Sequence, residues 1–89
     1  MTETPVFEPT TARSTLNDHR DPAIVCRERG WSVGTRLVGD EGAGPEVIEI
    51  TAIGETHILA KTVTFNGEVP TWAREGSWVL LCRDWRVCE

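Results

Sequence analysis

Apolar and polar positions alternate in only part of this chain, and the places where alternation starts and stops divide it. Residues 1–20 (MTETPVFEPTTARSTLNDHR) carry two prolines, many hydroxyls and few large apolar side chains. That composition does not bury enough surface to offset its ordering entropy, which predicts a flexible N-terminal arm. Val6 and Phe7 are the exception. Through them such an arm would dock, on its own domain or as a strand added to a partner's sheet. From residue 21 to residue 89 the pattern is that of a folded domain.

Residues 21–30 (DPAIVCRERG) have the grammar of a short helix. Asp21 is placed to cap it, Pro22 suits the first helical position, and Gly30 suits a left-handed residue beyond the end. Arg27 and Arg29 fall in the last turn, where the helix dipole favours cations. Two turns do not hold alone, so the helix is expected to pack through Ile24, or through Val25 and Cys26.

Alternation through Val33, Thr35 and Leu37 predicts a first strand over residues 31–38 (WSVGTRLV). Three glycines, a proline and two acids make residues 39–45 a loop. Residues 46–53 (EVIEITAI) are rich in β-branched side chains and form the clearest strand, with Ile48, Ile50 and Ala52 on one face. A turn at Gly54-Glu55-Thr56 sends residues 57–65 (HILAKTVTF) back as its antiparallel partner. The register stays open at this level, because a slip of one residue exchanges the faces. Asn66-Gly67 is a strong turn dipeptide. A loop carrying Pro70 and Trp72 follows. Residues 78–82 and 85–88 then read as two buried closing strands about a tight Arg83-Asp84 turn.

One helix and five strands at this spacing predict a mostly β fold: a small, partly open, SH3-like five-stranded barrel with one short N-terminal helix. Closure by the last residues is expected to make it a complete small domain. With 89 residues the stability margin is narrow. Three or four of the tryptophans are expected to anchor the core in compensation. Each can bury about 150–250 Å2, an upper bound of roughly 4–6 kcal/mol before entropy.

The formal net charge is −5, with residues 1–22 at −2 and residues 46–72 at −3. No segment is basic enough to drive phosphate binding. Non-specific nucleic-acid binding is therefore disfavoured. Eight Arg to one Lys points to a GC-rich source rather than to a particular chemistry. No stretch approaches the ~20 apolar residues of a membrane span, and the first residues lack the features of a secretory signal. Three irregularly spaced cysteines fit reduced thiols in a cytoplasmic protein.

Trp31-x-Val33-Gly34-x-x-Leu37, then Ile48-x-Ile50-Thr51-Ala52-Ile53-Gly54, Leu59-Ala60, and Trp78 with Arg83-Asp84-Trp85 together resemble an uncharacterised family of small domains from actinobacteria and their phages. The likeness spans about residues 31–86 and carries over no catalytic residue. It implies a phage or prophage accessory protein, acting in the host cytoplasm.

Candidate chemistry is sparse. Cys26, Cys82 and Cys88 with His19 or His57 lack the close pairs of a zinc site. Cys82 and Cys88 would meet only if the terminal hairpin faced them together. Cys82, His57 and Asp84 have ordinary structural explanations, so no catalytic residue, metal or cofactor is expected. The acids of loop 39–44 do not suit a phosphate cradle, and their spacing is not that of an EF-hand. Trp72 stands in the one loop without an evident core duty, beside Arg74, and Trp and Arg dominate interface hot spots. The expected function is thus non-catalytic protein binding through Trp72 and Arg74, with Val6 and Phe7 in the arm. The partner would be a host protein or a second copy of the chain. Two alternatives are a barrel that stacks single-stranded nucleic acid on Trp72, and a structural part of a virion-like assembly.

Overall fold

The computed structural model describes residues 14–88. Its elements run α1 (Pro22–Arg29), β1 (Arg36–Gly39), β2 (Glu46–Ile53), β3 (Ile58–Phe65), β4 (Gly76–Trp78) and β5 (Arg86–Val87). The five strands form one antiparallel sheet in the order β4-β3-β2-β1-β5. The fold is therefore mostly β with one short helix. The sheet is open: β4 and β5 are its two edges and do not pair with each other.

The helix follows its sequence signals with two changes. Gly30 takes the left-handed conformation (φ 74°) and its N–H reaches the carbonyls of Arg27 and Cys26. Asp21 makes no side-chain cap; its carbonyl instead accepts from the N–H groups of Ile24 and Val25. Val25 and Cys26 face the core with Ala23, while Ile24 points to solvent. The helix is tied to the β2–β3 turn, where Ala23 N–H donates to Thr56 O at 3.2 Å and Arg27 donates to the carbonyls of Gly54 and Glu55.

β1 begins five residues later than alternation predicts. Residues 31–35 turn instead, with Thr35 Oγ1 accepting from Ser32 N–H and Gly34 at φ 95°. Trp31 is thereby buried and Val33 exposed, so the apparent alternation of this stretch is not a strand's.

The hairpin β2–β3 carries the core. Ile48 and Ile50 lie opposite Thr62 and Ala60 on the inner face, and all four are buried. Two register shifts interrupt the pairing, one between Val47 and Ile48 and one between Ile50 and Ala52. The second leaves Thr51 as an extra residue on β2, which reverses the faces beyond it. Ala52 consequently pairs with the outward Leu59, and Ile53, paired with Ile58, packs on the core instead. At the far end Asn66 (φ 54°) and Gly67 (φ 81°) make the two-residue turn that their dipeptide predicts. Phe65 and Glu68 exchange both backbone hydrogen bonds across it.

The terminal segment departs furthest from expectation. Residues 78–88 are not a hairpin. β4 ends at Trp78 against β3, residues 79–85 cross the open side of the sheet, and β5 pairs with β1 on the opposite edge. The two tryptophans meet across that opening in an edge-to-face contact, centroids 6.2 Å apart. Trp85 is only 2% exposed. It lies so close to Gly39 that a β-carbon there would fall 2.8 Å from its ring.

Part of the expected arm belongs to this packing. Thr15 is fully buried; its hydroxyl accepts from Trp85 N–H at 2.7 Å and donates to Arg83 O at 2.5 Å. Asn17 N–H adds a bond to Leu81 O. Arg20 then bridges Asp18 and Glu28 of α1. Its bonds to Asp18 hold that carboxyl down at about 2 and raise the guanidinium's own pKa.

Candidate functional site

Loop 66–75 connects β3 to β4 and carries the predicted contact residues. Trp72 is 56% exposed, so it is not a lid on the core. Its ring is nevertheless positioned, because Phe65 at the end of β3 meets it edge-on at 6.3 Å. Val69, three residues earlier, is 76% exposed. Arg74 is exposed on the same loop. Val6 and Phe7 lie outside the described residues.

Beside this loop a shallow groove of about 370 Å3 crosses the outer face of the sheet. Val63, Val69, Pro70 and Ala73 form its apolar wall, and Arg36, Glu49 and Lys61 its polar one. The polar wall follows from register: Arg36 of β1, Glu49 of β2 and Lys61 of β3 are cross-strand neighbours on the outward face. Arg36 Nε donates to Glu49 at 3.1 Å. Val63 is turned toward the groove at the bulge between Val47 and Ile48.

A second cleft, about 350 Å3, opens where the sheet fails to close. Glu41, Trp78, Val79, Cys82, Arg83 and Trp85 line it. Under it lies a polar cluster that the sequence reading missed. Glu46, 5% exposed, accepts from Thr62 Oγ1 at 2.6 Å and from Arg83 Nη1 at 2.5 Å. The other arm of the guanidinium reaches Glu41 at 3.0 Å, and its plane covers the Trp85 ring 5.0 Å away. One signal was available: Glu46 is in phase with Ile48 and Ile50, which places it on the inner face. Arg83, expected only to make a turn, is the partner that satisfies it.

The thiols differ sharply. Cys26 is buried, and desolvation pushes its pKa up to about 11, which leaves it an inert core residue. Cys82 is exposed and lines the cleft, Cys88 is half-buried, and all three are free. Without a terminal hairpin, Cys82 and Cys88 are not opposed on paired strands. His57 bonds Thr56 at the β2–β3 turn. Asp84 pairs with Arg86 at 2.9 Å, a bond that lowers its pKa. Neither shares the cleft wall with Cys82. Among the described residues no three His, Cys, Asp or Glu side chains are grouped to hold a metal ion, and no helix is long and apolar enough to cross a membrane.

The sequence pattern of a domain of unknown function, DUF7241, matches residues 20–89. The chain belongs to the DUF7241 family. The match takes in α1 and the final strand as well as the residues between them. No curated protein and no solved structure matches the chain.

Proposed function

We propose that this DUF7241 domain is a non-catalytic protein-binding module whose contact surface is loop 66–75 and the adjoining groove. The half-exposed indole of Trp72, held edge-on by Phe65 beside the exposed Val69, carries the reading. A positioned aromatic side chain loses little rotamer entropy when covered, which is why tryptophan anchors interfaces. The groove that Val69, Pro70 and Ala73 of the same loop line offers an apolar wall for a partner side chain and an Arg36–Glu49–Lys61 rim for polar contacts. The scaffold is read as a partly open, SH3-like barrel. The strand order, with β5 returning to β1, and the Trp78–Trp85 contact across the opening support that description. For a phage-encoded chain, as the sequence resemblance implies, the partner would be a host protein.

The test is affinity capture with wild type, Trp72→Ala, Val69→Asp and, as a control on an exposed residue outside the loop and the groove lining, Val33→Ser. Partners shared by wild type and Val33→Ser but lost from both loop variants are expected. Identical recovery from all four chains would sink the proposal. Salt-sensitive binding of short single strands that Trp72→Ala abolishes would replace it with base stacking.

A further inference from the structure

We infer that the cleft between the two sheet edges is a carboxylate-binding site, and that Glu41 occupies it as a built-in placeholder. Arg83 has two unequal partners. Glu46 is buried on the inner face and holds Nη1. Glu41, on the glycine-rich loop between β1 and β2, holds Nη2 from a side chain that is 50% exposed. A pair of the first kind is fixed by packing, whereas a solvated pair of the second kind is weak and exchangeable. The cation at the cleft wall thus has one arm committed to the fold and one arm aimed at a replaceable anion.

The rest of the cleft suits the body of a ligand. Trp78 and Val79 supply apolar wall next to the guanidinium, and Trp85 forms the base on which Arg83 is stacked. At about 350 Å3 the space matches the lower end of small-molecule pockets, enough for one ring-sized group. A carboxylate accepts strong charge-assisted hydrogen bonds from a guanidinium, and Nη2 is the donor left for it here. A ligand with one carboxylate on a ring-sized apolar body would take the place of Glu41 and lay that body against Trp78 and Val79. Glu41 leaves by rotation of its half-exposed side chain alone, while Asp40 Oδ1 holds the loop backbone in place by accepting from the N–H groups of Gly42 and Gly44. The site is independent of the Trp72 surface.

A tethered anion competes as though present at about millimolar concentration. Removing it therefore strengthens binding, the opposite of what removing a ligand-contacting residue does. The experiment titrates the isotope-labelled full chain, wild type and Glu41→Gln, with phenylacetate and with phenylacetamide, following the indole N–H resonances. Glu41→Gln is expected to bind phenylacetate roughly tenfold more tightly than wild type, with the Trp78 and Trp85 signals moving and Trp72 still. Phenylacetamide is expected to bind neither chain. Equal affinity of the two chains, equal affinity for acid and amide, or no shift in either chain up to ~10 mM would each overturn the assignment.

Discussion

Between Glu46 and Phe65 the chain forms two eight-residue strands that pair almost throughout, close in sequence and joined by a short turn. Between residues 76 and 88 it has five strand residues in two pieces, on opposite edges of the sheet. Both regions feed one core, the hairpin through Ile48, Ile50, Ile58 and Ala60, the terminal segment through Leu80 and Trp85. The hairpin is held by backbone pairing to its sequence neighbour. The terminal segment is held by side chains from everywhere else: Thr15 bonds Arg83 and Trp85, Glu46 holds Arg83, and Gly39 gives Trp85 room. A ladder spreads its stability over many bonds, so single changes are absorbed. A segment pinned at a few long-range points fails when one of them is removed.

That contrast orders the consequences of mutation. Trp85→Ala empties the centre of the core and is expected to cost about 3–5 kcal/mol, most of the stability of so small a domain. Urea unfolding would show it as a chain without a cooperative transition. A normal transition would mean that the terminal segment is less central than its packing indicates. Thr15→Val keeps the shape but leaves Trp85 N–H and Arg83 O without their partner, a loss of roughly 1–3 kcal/mol seen as a lower urea midpoint. An unchanged midpoint would show that the stretch before α1 is dispensable.

The turn that follows the hairpin should give way more gently. Gly67→Ala forces a β-carbon into a left-handed turn position and is expected to cost about 1 kcal/mol, with the sheet intact by circular dichroism. Loss of the fold would erase the distinction between the two regions. Trp72→Ala removes the same side chain as Trp85→Ala from a half-exposed site, and a change below ~1 kcal/mol is expected. Acid provides the mildest test. The Asp18 carboxyl titrates at about 2 in the fold against an ordinary 3.8. Its contribution is therefore complete above about pH 4 and is lost as pH falls toward 2. Asp18→Asn should flatten stability against pH across that window, by an amount that solvent screening of the exposed Arg20 keeps small.

Local signals in the amino-acid chain determined the elements whose partners lie nearby. The Pro22–Gly30 grammar made the helix, β-branched alternation made β2 and β3, and Asn66-Gly67 made their neighbouring turn. Trp72 was legible as a candidate because its loop offered it no core position, and the structure leaves it exposed. Tertiary structure alone decided the rest. Alternation states that a strand has two faces but not which edge it joins, so residues 78–88 read as a hairpin although their halves pair with β3 and β1. A bulge at Thr51 is invisible in a run of β-branched residues, yet it moved Ile53 inward and Ala52 outward. The burial of Thr15 and of the Glu46–Arg83 pair depends on contacts between residues 37 to 70 positions apart. Such contacts form only once the chain has closed on itself, because their bonds are favourable only after water has been excluded around them.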